Sequence, residues 1–196
     1  HSLMPVETAR EAFAVCESCH ADLRIFSDGY ACTDARSIAL AAARAAKKDG
    51  TEACQPNDGR FTILRDAAEG MSRNAFAIEK LCVFFETPQQ AAAALPRFRA
   101  VPGVEIVQGS PKNVEVTAAG VDKGEALRAL ADRLDVPHEC TLAVGDSEND
   151  RAMLQKAGVA AVMVNGMPEI RALAHLVSKA DCDHDGVAEI LEALGI

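Results

Sequence analysis

No apolar run in these 196 residues approaches membrane-spanning length, so no membrane partner is expected. Basic residues are scarce as well. The formal net charge is −9, with 13 basic and 15 acidic residues over 1–118 and 7 basic and 14 acidic over 119–196. A chain that holds phosphate backbones needs a basic surface, so nucleic acid is not expected either. No signal peptide opens the sequence, and His1-Ser2-Leu3 before Met4 reads as a cloning remnant. Nor is there a disulfide framework: seven cysteines, at 16, 19, 32, 54, 82, 140 and 182, form an odd set among apolar neighbours. A reduced, cytoplasmic chain is the simplest account. Repeats and low-complexity tracts are missing. What remains, at 49% hydrophobic residues and a mean hydropathy of +0.02, is a globular α/β chain of one large domain or two small ones.

Of what is present, Val144-Gly145-Asp146-Ser147-Glu148-Asn149-Asp150 says most. Leu142, Ala143 and Val144 make a short buried strand, Gly145 turns the backbone, and Asp146 to Asp150 enter a helix whose apolar face continues with Met153 and Leu154. Two carboxylates then converge at a strand's carboxyl end, where open α/β sheets place ligands. Such oxygen donors suit Mg²⁺, which takes one or two carboxylates and leaves its other positions to water and phosphate oxygens. A plain helix start needs one capping residue, not four polar residues in five positions. Lys123 opens another helix, at the end where the dipole disfavours a cation. That placement favours contact with a phosphoryl group.

The order of these segments resembles the haloacid dehalogenase (HAD) superfamily, and within it the Cof-type phosphatases with a type IIB cap. Val121-Asp122-Lys123-Gly124 before Glu125-Ala126-Leu127-Arg128-Ala129-Leu130 is similar to the family's third motif, and Gly145 to Leu154 to its fourth. Val164-Asn165 and Asp185-Gly186-Val187-Ala188 match the usual tail. The resemblance implies an α/β fold in two parts: residues 1–118 as a mixed α+β cap that selects substrate, and 119–196 as part of a Rossmann-like parallel-sheet core. It further implies a hydrolase of small phosphomonoesters, sugar phosphates above all, with a small phosphorylated metabolite as partner. By the same resemblance Asp146 ligates the metal, Mg²⁺, and Asp150 orients the metal's shell or a bound water, while Lys123 stabilises an aspartyl-phosphate and Asn149 positions Asp146 or the phosphoryl group. Asn113 and Asn165 are weaker substrate-binding candidates, each equally readable as a turn residue.

The family's first motif, Asp-x-Asp-Gly-Thr, is not found, nor is its second. Ile25-Phe26-Ser27-Asp28-Gly29-Tyr30 comes nearest, yet Phe26 stands where the nucleophile belongs and cannot attack phosphorus. Asp-Gly between two strand-like runs is a hairpin signal instead. The expectation is a truncated phosphohydrolase that is inactive as given, with a hydrophobic edge at the Leu142–Val144 strand that either pairs in a two-fold dimer or leaves the region from Asp122 onward partly mobile. A phosphomutase relative or a non-catalytic ligand- or partner-binding module is the alternative.

Two further patterns are weighed against simpler readings. Cys16-x-x-Cys19-His20 fits c-type haem attachment, but Ala9, Phe13, Cys16 and His20 share a helix face where Cys acts as a small hydrophobe. Asp181-x-Asp183-x-Asp185-Gly186 with Glu192 fits a calcium loop. Yet no exiting helix follows Glu192, and Val187, Ile190 and Leu191 read as the buried stripe of a last helix.

Along the chain, helices are expected at 5–21, 34–48, 88–99 and 122–134, the last with Leu127, Leu130, Ala131 and Leu134 on its buried stripe. Hairpins are expected at 23–26 with 30–32 and at 104–107 with 114–117, and strands at 81–85, 142–144 and 159–164. Gly50 should end the second helix, residues 55–59 form a loop, and 51–78 are otherwise hard to read.

Overall fold

The computed structural model describes residues 2–47, 62–72 and 77–196; the expectations for Gly50 and for 55–59 lie outside them. The chain divides into two compact units, His1–Ala119 and Gly120–Ile196.

The first unit is a six-stranded mixed sheet with helices. In chain order it runs α1 (Val6–Ser18), β1 (Asp22–Ser27), β2 (Tyr30–Asp34), α2 (Ala35–Lys47), β3 (Thr62–Leu64), α3 (Ala67–Ser72), β4 (Ile78–Phe84), α4 (Pro88–Arg99), β5 (Val104–Val107) and β6 (Asn113–Ala118). The strand order is β3-β2-β1-β4-β6-β5, and every pairing is antiparallel except β2 with β3. Asp28 and Gly29, at φ 52° and 77°, make the two-residue turn joining β1 to β2, with Ser27 opposite Tyr30. Two consecutive positive φ values are the type I′ geometry that suits strand twist. Register sets the core: Leu23 faces Val83 and Ile25 faces Leu81, which in turn face Val114 and Val116. These six are buried together with Phe13 and Phe98 from α1 and α4. α4 begins at a full capping box, in which Thr87 Oγ1 accepts from Gln90 N and Gln90 Oε1 accepts from Thr87 N.

The second unit runs α5 (Lys123–Arg133), β7 (Leu142–Gly145), α6 (Arg151–Lys156), β8 (Val159–Val162), α7 (Pro168–Arg171), β9 (Leu176–Val177) and α8 (Gly186–Leu194). Its sheet is parallel throughout, in the order β7-β8-β9. β8 is buried on both faces, as parallel strands covered by helices are. Ala160 and Val162 pack with Ala143, Leu154, Ala157 and Ile170, while Ala161 and Met163 pack with Ile190.

Several expectations from the sequence need correction. Leu130 and Leu134 are 55% and 61% exposed, so the buried stripe of α5 narrows to Ala131 with Leu127 against the core. Val187 is 47% exposed, leaving Ile190 as the fully buried member of the α8 stripe. α1 stops at Ser18, and His20, at φ 48°, is exposed instead of continuing the Ala9–Phe13–Cys16 face. Strand β9 and the one-turn helix α7 have too few residues to leave a periodic signal, and neither was anticipated.

A candidate phosphoryl site at the carboxyl end of β7

The loop that leaves β7 is organised around one carboxylate. Asp150 is buried, and its Oδ2 accepts from the backbone N–H groups of Asp146 (3.0 Å) and Ser147 (3.3 Å), while its Oδ1 accepts from Lys123 Nζ at 2.6 Å. Burial pushes the Asp150 carboxyl pKa up, but the Lys123 hydrogen bond and charge and the two N–H donors outweigh it, and the net shift is downward. The residue therefore stays ionised. Ser147 caps the short turn Glu148–Asp150, and its hydroxyl donates to Asn149 Oδ1 at 2.8 Å.

Two glycines make this arrangement possible. A Cβ on Gly145 would lie 2.5 Å from Asp150 Cβ and 2.8 Å from its Oδ2, so no larger residue can end β7 while Asp150 folds back over it. A Cβ on Gly124 would lie 2.4 Å from the carbonyl oxygen of Ala152. Gly124 thus lets the start of α5 lie directly on α6, which brings Lys123 to Asp150. Asp122 caps α5, accepting from Glu125 N at 2.7 Å, and Lys156 bridges Asp122 (3.4 Å) and Glu125 (2.7 Å). The unfavourable position of Lys123 at a positive helix end is compensated by the Asp150 carboxylate.

Asp146 differs from its neighbour. It is half-buried, and its carboxylate has no hydrogen-bond or ion-pair partner among the described residues. Its backbone is fixed instead, the N–H donating to Asp150 and the carbonyl accepting from Met167 N at 2.9 Å. The resemblance gave Asp146 the metal and Asp150 an orienting part; in the structure Asp146 is the free carboxylate, and Asp150 is already committed to a lysine and two amides. Among the described residues no three His, Cys, Asp or Glu side chains converge. One free hard oxygen donor still fits Mg²⁺ in kind, since that ion commonly takes one or two carboxylates and fills its shell with water and phosphate oxygens.

The remaining sequence candidates are less available. Asn165 follows β8, and both ends of its amide are engaged with Cys182, Oδ1 accepting from Cys182 N (3.2 Å) and Nδ2 donating to Cys182 Sγ (3.3 Å). Asn113 lies in the first unit, where Oδ1 accepts from Ser110 N (2.8 Å) and Nδ2 donates to Glu115 (3.2 Å). Asn113 holds the turn before β6, and Asn165 ties the segment after β8 to Cys182. Reasoning from sequence missed Ser147 as the loop's cap and Met167 as the anchor of Asp146. The first had a signal in its position three residues before Asp150; the second, a backbone contact, had none.

Helices alternating with parallel strands, and an ionised loop with a lysine at a strand's carboxyl end, define an α/β protein with a site suited to a cation and an anionic group. The family model described as haloacid dehalogenase-like hydrolase matches residues 1–191. The chain belongs to this family. It is 34% identical over 106 residues to the phosphatase YwpJ of Bacillus subtilis (strain 168), a match covering 54% of this chain and 37% of that protein. It thus spans well under half the length of the curated relatives it matches. Its fold is shared with a HAD-like hydrolase from B. subtilis (TM-score 0.83, 23% identity, 99% of this chain and 72% of the other). A HAD subclass IIB sugar phosphatase has the same fold (TM-score 0.74, 19% identity, 99% and 68%).

Proposed function

We propose that this chain is part of a phosphohydrolase of small phosphomonoesters, sugar phosphates foremost, and that the 146–150 loop with Lys123 is its cation and phosphoryl site. The observation that carries this reading is the contrast between a free Asp146 and an Asp150 that holds Lys123 at 2.6 Å on the same strand end. In this scheme Asp146 is the protein ligand of Mg²⁺. When bound, the ion would neutralise and orient phosphoryl oxygens. Lys123, half-exposed and pinned by Asp150, presents a fixed positive charge to the same oxygens. Asn149, its Oδ1 occupied by Ser147, keeps its amide N–H₂ for Asp146 or a phosphoryl oxygen. Asn113 and Asn165, with both amide ends engaged, are left out of the scheme. The residues up to Ala119 take the part of the substrate-selecting cap and those from Gly120 that of the core.

Chemistry also needs a nucleophile, and Asp28, in the turn between β1 and β2, follows a phenylalanine where that residue would stand. Asp49-Gly50-Thr51, a second partial match, has Lys47 in that position and lies outside the described residues. The chain alone is accordingly proposed not to turn over phosphomonoesters. The test has two arms. An aryl phosphate with Mg²⁺ should give no turnover; turnover lost in Asp28→Asn and kept in Asp146→Asn would overturn the scheme. Titration with Mg²⁺ and inorganic phosphate, followed by amide NMR, should shift the 145–150 signals in the wild type and not in Asp146→Asn.

A further inference from the structure

The Cys16-x-x-Cys19 pair plays no part in the proposed chemistry, yet its surroundings set it apart from the other described thiols. All six described cysteines are free. Cys16, Cys32 and Cys82 are buried, and burial pushes the Cys16 thiol well up, which makes it inert as a first reactant. Cys140 and Cys182 are exposed, and no basic side chain contacts either sulfur among the described residues. Among the described cysteines Cys19 alone combines partial exposure with a cation. Arg97 Nη1, from the last turn of α4, donates to Cys19 Sγ at 3.7 Å, and Nη2 of the same guanidinium donates to Ser18 Oγ at 2.5 Å. Reactive cysteines occupy such electropositive, partly open settings.

The backbone supplies the second half of the argument. Cys19 closes α1 and keeps helical angles (φ −79°, ψ −12°), while His20 leaves the helix at φ 48°. Cys16 lies one turn back. Cβ atoms three residues apart on a helix are about 5–6 Å apart, and a disulfide needs about 3.5–4.5 Å. The gap closes if only the final turn unwinds, and final turns are where helices fray. A narrow cleft beside Cys19, about 100 Å³ and lined also by His20, Glu86 and Gln90, admits a small oxidant.

We propose that Cys19 is a modification site for hydrogen peroxide, with Cys16 as the thiol that resolves the product. The Cys19 thiolate attacks the peroxide's distal oxygen, the O–O bond breaks, and hydroxide leaves with the electron pair and takes up the thiol's proton as water. The product is a sulfenic acid. Cys16 sulfur then attacks Cys19 sulfur, an S–S bond forms, and the sulfenic oxygen departs with the Cys16 proton as a second water. Two thiols lose two electrons and one peroxide is reduced to two waters.

The test treats the reduced chain with limiting hydrogen peroxide and maps it by mass spectrometry of tryptic peptides; residues 11–24 carry both cysteines. The expected result is loss of two hydrogens from that peptide. In Cys16→Ala, dimedone should instead label Cys19, and in Arg97→Met the rate of Cys19 oxidation should fall about tenfold, as electropositive surroundings govern thiol reactivity. Arg97 is exposed, so this variant reads the contact with the fold intact. Oxidation of Cys140 or Cys182 ahead of Cys19, or an unchanged rate in Arg97→Met, would overturn the assignment.

Discussion

The two units divide the labour of the chain unequally. In the first, β1, β4 and β6 each pair on both sides, and large side chains such as Phe13, Leu81 and Phe98 fill the core. In the second, three short parallel strands pack through a core half made of alanines, Ala143, Ala157, Ala160 and Ala161, and β7 sits at the sheet's edge among the described residues. The candidate site lies on that edge strand. The larger core and the candidate phosphoryl site are therefore separated along the chain, and the smaller core carries the site's loop.

That contrast breaks most readily in the cores. Phe98→Ala should cost about 3–5 kcal/mol and Leu154→Ala, in the alanine-rich core, about 2–4 kcal/mol, both read from denaturant midpoints. A larger loss at Leu154 would mean that the second unit holds the chain's main core.

A smaller effect sharpens the site itself. Gly145→Ala puts a Cβ 2.5 Å from Asp150 Cβ, and overpacking of this kind costs about 1–3 kcal/mol. More tellingly, Asp150 should be displaced from the amides of Asp146 and Ser147, so its carboxyl should titrate closer to the ordinary carboxylate value by ¹³C NMR. An unchanged titration would mean that the loop, not the glycine, sets the fold-back of Asp150.

How much of this was legible beforehand follows the same division. The strand from Leu142, the helix opened by Lys123 and the Asp28-Gly29 turn were readable because each is written in local chemistry: a short apolar run, an apolar stripe at helical spacing, a dipeptide with positive φ. Leu130 and Leu134 misled because helical periodicity marks a face without saying whether anything covers it; on α5 those two stay open. The pairing of Asp150 with Lys123 was hidden for a related reason. Spacing brought both to one strand end, but which one met Lys123 depended on the close approach of Gly124 to Ala152, a tertiary contact.

The smallest effect concerns that last contact, and its sign with pH decides how it works. The Asp150 pKa is lowered from an ordinary 3.8, against the opposing pull of burial, by the Lys123 hydrogen bond, the two backbone donors and the lysine's charge. A carboxylate whose folded-state pKa is depressed contributes stability in full above its unfolded value and loses it as pH falls through the folded one. Lys123→Met keeps the stem and removes the charge, leaving a carboxylate that is 7% exposed with only its two amide donors. The loss at neutral pH should be about 1 kcal/mol, at the low end for a charged hydrogen bond because the ammonium is 49% exposed and screened by water. Denaturation of wild type and variant at neutral pH and again well below pH 3.8 checks this. The two stabilities should converge in acid, where Asp150 is protonated in both. A difference that persists unchanged in acid would show that Lys123 acts through packing of its stem, and the Lys123–Asp150 charge pair would no longer be the feature that organises the site.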